Sequence, residues 1–288
     1  MRPSISRREV IKTIAGATAA ASVVPFKAQA SPSARPLNGK INHSVCKWCY
    51  PDFTVEALAV EASKIGLASI ELLGPEDWPT LKQHGLICAM ANGPSQIPRG
   101  FNRIENHEWL VPQFKERIRE VAEAGFPNVI AFSGNREGMD DAEGLENCVI
   151  GLKQIMSDAE RLGVTVCMEL LNSRVDHGDY MCDRTPWGVE LVKRVGSERF
   201  KLLYDIYHMQ IMEGDVIRTI RDNHEYIGHY HTGGNPGRHE IDESQELYYP
   251  AIMRAIVETG FQGYVAQEFV PSRDPIASLR QGIEICDV

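Results

Sequence analysis

From Ile41 to Val288 the chain repeats one pattern: a short apolar run, a polar turn, then a longer stretch with helical spacing. The apolar runs fall at Ile41–Trp48, Ala68–Leu73, Ile87–Ala91, Asn128–Ser133, Thr165–Leu171, Phe200–Ile206, Ile227–His231 and Gly263–Phe269. Runs this short and this rich in Val, Ile, Leu and Tyr read as strands buried on both faces. Helical stretches follow them near Thr54–Ile65, Trp78–His84, Glu108–Ala124, Ala142–Leu162, Pro186–Val195, Asp215–His224, Tyr249–Thr259 and Pro275–Ile285. Gly66, Gly125, Gly163 and Gly260 stand where a helix hands over to the next strand, the place for a residue that tolerates a left-handed turn. Strand–helix alternation implies a parallel sheet with helices outside, and eight such units close it into a barrel. The expected fold class is therefore α/β, a single (β/α)8 TIM barrel over residues 41–288. An open doubly wound sheet would bring a glycine-rich phosphate turn after the first strand. Cys46-Lys47-Trp48-Cys49-Tyr50-Pro51 stands there instead.

Ahead of the barrel lies a segment of different character. Ser6-Arg7-Arg8-Glu9-Val10-Ile11-Lys12 leads into a weakly apolar run from Thr13 to Phe26, and Ala28-Gln29-Ala30 follows as a cleavage site. This is the pattern expected of a signal peptide with a twin-arginine start, over residues 1–30, followed by a Ser/Pro-rich linker over residues 31–40. The run is too short and too rich in Ala and Gly to span about 30 Å of hydrocarbon. The expected location is periplasmic or extracellular, with the twin-arginine translocase as a partner during export and no stable membrane association. Export of this kind carries folded proteins, often with cofactor already in place.

Charge and cysteine usage narrow the function classes. The net charge is −9, but residues 1–30 hold five of the basic side chains and one of the acidic ones, so the rest of the chain carries −13. An acidic domain has no face for phosphate contacts, and nucleic acid is not an expected partner. The seven cysteines are odd in number and scattered, which is no disulfide framework. Cys46 and Cys49 form a C-x-x-C, but in a run read as a strand, where redox chemistry would call for a helix start. They read as small buried apolar side chains.

In a barrel the chemistry sits at the C-terminal ends of the strands. The fifth, sixth, seventh and eighth apolar runs carry Glu169, Asp205, His231 and Glu268 near those ends. One such residue alone is ordinarily a solvated loop residue. Two glutamates inside apolar runs are different, because an unpaired carboxylate there would be costly to bury. Three carboxylates and an imidazole at comparable height suit one divalent cation, Mn²⁺, Mg²⁺, Co²⁺ or Zn²⁺, with positions open for substrate. His229 shares the face of His231, and His231, nearer the strand end, is the expected ligand. His208, three residues after Asp205, faces the same mouth, and Arg238 follows the Gly-rich stretch Thr232–Gly237, where it could meet a substrate oxygen.

The stretch Tyr204-Asp205-Ile206-Tyr207-His208-Met209-Gln210-Ile211-Met212-Glu213-Gly214, with Gly228-His229 and Asn235-Pro236 to Arg238 after it, resembles the hydroxypyruvate isomerase family within the sugar isomerase and epimerase TIM barrels. The resemblance implies that Glu169, Asp205, His231 and Glu268 hold the metal, that Glu169 and Glu268 are the catalytic acid/base pair, and that His208 and Arg238 hold substrate oxygens. Hydroxypyruvate isomerase resembles this pattern with Gln in place of His231, whereas ketose 3-epimerases carry His there.

The expected reaction is proton transfer by glutamate next to a carbonyl polarised by the metal, on a small hydroxy-carbonyl compound or sugar. Return of the proton to the neighbouring carbon gives isomerisation, and return to the opposite face gives 3-epimerisation. Loss of a β-hydroxyl would make the protein a keto-sugar or inosose dehydratase. A non-catalytic exported carbohydrate-binding barrel is the reading outside enzymology, disfavoured by the presence of both glutamates. A nuclease is disfavoured by the acidic charge and by too few histidines for a three-zinc cluster.

Overall fold

The computed structural model describes residues 36–288. The expected signal peptide, and the linker as far as residue 35, lie outside the described residues. Seven parallel strands form one ladder: β1 (Asn42–Cys46), β2 (Ser69–Glu71), β3 (Asn128–Ala131), β4 (Thr165–Glu169), β5 (Phe200–Asp205), β6 (Ile227–Thr232) and β7 (Tyr264–Gln267). Their order across the sheet is β2-β1-β7-β6-β5-β4-β3. The expected strand Ile87–Ala91 fills the gap between β2 and β3 without becoming a ladder strand. It makes isolated parallel bridges, Ser69 with Ile87, Leu73 with Ala91 and Ala91 with Val129. Backbone bonds such as Leu72 N–H to the Met90 carbonyl and Ala91 N–H to the Asn128 carbonyl flank it, and at Ala89 side chains take over: the Ala89 amide donates to Ser69 Oγ at 2.8 Å, and Asn128 Nδ2 donates to the Ala89 carbonyl at 2.8 Å. The ring is thus completed by an eighth segment tied partly by polar side chains, a correction to eight regular strands.

Nine helices among the described residues cover the sheet: α1 (Val55–Ile65), α2 (Trp78–Gln83), α3 (Ile104–Ala124), α4 (Asp141–Leu162), α5 (Thr185–Val195), α6 (Ile206–Met212), α7 (Val216–Asn223), α8 (Tyr249–Glu258) and α9 (Pro275–Cys286). Gly66 closes α1 at φ 95°, a left-handed turn that only glycine adopts without strain. Apolar faces such as Leu145, Leu152 and Ile155 of α4 pack onto the core. None of the described helices is long and apolar enough to cross a membrane.

Two boundaries differ from expectation in ways that matter to the site. The first strand ends at Cys46, and Lys47–Cys49 form a 3-10 turn that sets Trp48, half-exposed, over the mouth of the barrel. The apolar run Phe200–Ile206 stops being a strand at Asp205, whose carboxylate caps α6 by accepting from the His208 amide at 3.1 Å. An aspartate ending a strand is a ready N-cap, so the helix starts at once. Cys46 and Cys49 are both buried, and burial pushes both thiols up, which keeps them protonated and inert.

Candidate active site

The C-terminal ends of β4, β5, β6 and β7 bring Glu169, Asp205, His231 and Glu268 together. One ligand atom from each lies within 4.8 Å of the others. Glu169 ends β4, Asp205 ends β5, His231 lies in β6 and Glu268 follows β7 by one residue. All four are buried. His231 Nδ1 is 2.6 Å from Glu268 Oε2 and 3.3 Å from Glu169 Oε1. Yet neither His231 Nδ1 nor Glu169 Oε1 makes a directed hydrogen bond. Buried polar atoms left this way are uncommon. Their convergence with two further carboxylates is the chemistry of a divalent cation site, so the residues present fit the expected metal.

Electrostatics point the same way. Burial pushes the carboxyls of Glu169 and Asp205 upward. It would do the same to Glu268, but His231 and Arg238 beside it pull that carboxyl well below the usual range. Burial opposes a charge on the His231 ring, and the adjacent Glu268 overrides it and pushes the ring upward. The set is short of positive charge.

Arg238 supplies part of it. Its Nη2 donates to Asp205 Oδ2 at 2.8 Å and to Glu268 Oε2 at 2.5 Å, and its Nη1 lies 2.6 Å from His208 Nε2. The guanidinium packs between the Trp48 and Tyr207 rings, at 5.3 and 5.0 Å from their centroids. Its backbone has φ 57°, unusual for a side chain of this size and a local strain of the kind that gathers at functional sites. His208 is fully buried, and burial, with Arg238 beside it, lowers its pKa well below the usual value, so the ring is neutral. The structure therefore gathers all six residues expected from the sequence.

It also adds residues that the sequence reading passed over. Trp48, 47% exposed, donates from Nε1 to Glu268 Oε1 at 2.7 Å. Asn172 Nδ2 lies 2.6 Å from His208 Nδ1, and His177 stacks near the same ring at 5.3 Å. Glu71, at the end of β2, accepts from His229 Nε2 and His231 Nε2, each at 2.8 Å. Burial would raise the Glu71 carboxyl, but the two histidines hold it at about 2. A signal for Glu71 did exist: it is a carboxylate inside an apolar run, like Glu169. Above the cluster opens a cavity of about 430 Å³, with Trp48, Leu72, Ile97, Ile130, Phe132 and Leu171 as its apolar wall. That is toward the small end of the roughly 300–1,000 Å³ of small-molecule sites.

A parallel α/β barrel with carboxylate and imidazole donors converging at its strand ends carries them at the face where TIM-barrel active sites lie. The chain is a member of the xylose isomerase-like TIM barrel family, whose profile matches residues 61–287. It is 37% identical over 117 residues to 2-oxo-tetronate isomerase of Cupriavidus necator, a match spanning 41% of this chain and only 44% of that protein. It is 27% identical over 243 residues to a human protein provisionally named hydroxypyruvate isomerase, spanning 81% of this chain and 80% of that one. A crystal structure of AP endonuclease, family 2, from Brucella melitensis shares the fold at TM-score 0.75 and 26% identity, covering 83% of this chain and 97% of that one. Solved ketose 3-epimerases share the fold alone, at 15% to 20% identity.

Proposed function

We propose that this chain is a divalent-metal-dependent isomerase acting on a small hydroxy-carbonyl compound or sugar. The observation that carries the reading is the pair of buried, undirected donor atoms, Glu169 Oε1 and His231 Nδ1, among the carboxylates of Asp205 and Glu268. Glu169, Asp205, His231 and Glu268 would hold one cation, Mn²⁺, Mg²⁺, Co²⁺ or Zn²⁺. Bound there, it would act as a Lewis acid toward a carbonyl and its neighbouring hydroxyl. Glu268, kept ionised by His231 and Arg238 and aimed by Trp48, takes the proton α to the carbonyl. Glu169, raised by burial, is the acid that returns one. His208 and Arg238 hold substrate oxygens, and the apolar wall excludes water from the proton-transfer face. The names of the relatives, isomerases of small oxo acids, support this reaction class.

Epimerisation at the carbon next to the carbonyl is the second reading, favoured by the imidazole at position 231 that the ketose 3-epimerase pattern carries. The same glutamate pair serves it if the second proton arrives on the opposite face. The twin-arginine motif at Arg7-Arg8 adds that the folded protein is exported. Substituting both arginines by lysine should leave it in the cytoplasm, as fractionation would show.

Elemental analysis of the purified protein tests the central reading. About one equivalent of divalent metal per chain is expected, sharply reduced in Glu268→Gln. A screen of ketoses and short oxo acids with that metal would then separate isomerisation from epimerisation. No metal as purified, and no uptake of any of the four ions, would refute the proposal.

A further inference from the structure

Glu71 lies on the side of His231 that faces away from the three carboxylates. It is fully buried, and its two oxygens are fully engaged. Oε1 lies 2.8 Å from Nε2 of both His229 and His231, and Oε2 accepts from Ser44 Oγ at 2.7 Å. A buried carboxylate in this role only accepts, so each ring presents an Nε2–H to it. His231 thereby has Nδ1 facing the cluster, the atom near Glu268 and Glu169 that no directed hydrogen bond satisfies.

We propose that Glu71 is a positioning residue for the cation site: it fixes the His231 proton on Nε2 and the plane of the ring, so that Nδ1 is presented to the metal. His229 and Ser44 hold the carboxylate in turn, one on each oxygen. This rests on the metal reading above and extends it to a residue outside the ligand set. Metal-bound histidines characteristically donate their other N–H to a carboxylate, which orients the ring and raises its basicity. Here the donor's partner comes from β2, three strands away from the β6 strand of His231 through β1 and β7, and so ties a distant part of the ring to the site.

The test uses the full-length protein stripped with chelator and then titrated with Zn²⁺, with histidine labelled by ¹⁵N and the His231 signals assigned from His231→Asn. Nε2 of His231 should carry the proton in both the metal-free and the Zn²⁺-loaded protein. Glu71→Gln, which turns a charge-assisted bond into a weaker neutral one, should raise the Zn²⁺ dissociation constant about 10- to 100-fold. His229→Asn leaves the Glu71–His231 bond in place and should change it by about threefold or less. A proton-free Nε2 on His231, or Glu71→Gln binding Zn²⁺ as wild type does, would overturn the inference. Should Glu71→Gln fail to fold, the wild-type spectrum decides alone. Wild-type protein that takes up no Zn²⁺ would sink the metal reading and this inference with it; normal uptake with an indifferent Glu71→Gln would sink this inference only.

Discussion

Arg238 and a divalent cation compete for the same oxygens, and Arg238→Met should therefore tighten metal binding. The guanidinium makes two charge-assisted hydrogen bonds to the cluster, to Asp205 at 2.8 Å and to Glu268 at 2.5 Å. Such bonds are worth about 1.5–3 kcal/mol each, so a cation that takes both oxygens gives up about 3–6 kcal/mol of them. The displaced guanidinium recovers roughly half through water, leaving about 1.5–3 kcal/mol, or tenfold to a hundredfold in Kd. Methionine keeps the stem between Trp48 and Tyr207 while removing the charge. Calorimetric titration of Mn²⁺ into chelator-stripped wild type and Arg238→Met measures the ratio. The same substitution leaves Asp205 buried without its ion-pair partner, so the metal-free variant should melt lower and recover more on adding Mn²⁺. Equal or weaker Mn²⁺ binding by Arg238→Met would refute the competition argument.

Three further outcomes follow from other contacts. Glu240 is buried against the Ser272 hydroxyl and amide, the Arg273 amide and the Ser278 hydroxyl. Burial raises its carboxyl, but those donors bring it down to about 2. A depressed folded pKa stabilises above the unfolded value of about 4.3, and the gain is lost as pH falls toward 2. Urea unfolding should thus find Glu240→Gln about 1–2 kcal/mol less stable than wild type at pH 7, after allowing for solvent screening, with the gap closing as pH falls from about 4.5 toward 2. A gap independent of pH would exclude the charge as its source. Gly93→Ala would place a Cβ 2.0 Å from the Ile130 carbonyl oxygen, which cannot move without disturbing β3; a loss of about 3 kcal/mol is expected in the same assay, and an unchanged midpoint would contradict the close approach. Trp48→Phe keeps an aromatic wall but removes the donor to Glu268, so kcat on the substrate found by screening should fall about tenfold with KM little changed; a change in KM alone would make Trp48 a binding residue only.

The order of strands and helices was legible because each buried strand is an apolar run bounded by turn residues. What periodicity missed are places where a side chain takes over a backbone role. Ile87–Ala91 has the composition of a strand, but its backbone bonds to its neighbours are interrupted, and at Ala89 the Ser69 and Asn128 side chains stand in for them. The helix Ile206–Met212 continues the apolar run of β5, and only the capping contact of Asp205 marks where one becomes the other. The four proposed ligands were readable because each ends or closely follows an apolar run at a spacing of about one βα unit. Glu71 was read as part of a strand interior, since its importance lies in a hydrogen bond to a residue 160 positions away. Trp48 was hidden in the same way: the sequence drew attention to the flanking Cys46 and Cys49, while the 3-10 turn aims the indole at Glu268.

The seven buried thiols set a condition on when this protein can meet an oxidant. All seven cysteines are free and sealed in the interior. An unfolded or half-folded chain would expose every one of them, and an oxidising compartment would join them in pairings the barrel cannot contain. One thiol would always be left over to capture another chain. Folding therefore has to finish in a reducing space, and afterwards the safety of the thiols is a matter of how rarely the barrel opens. A route that moves finished barrels across a membrane satisfies that condition, whereas threading the chain through unfolded would not.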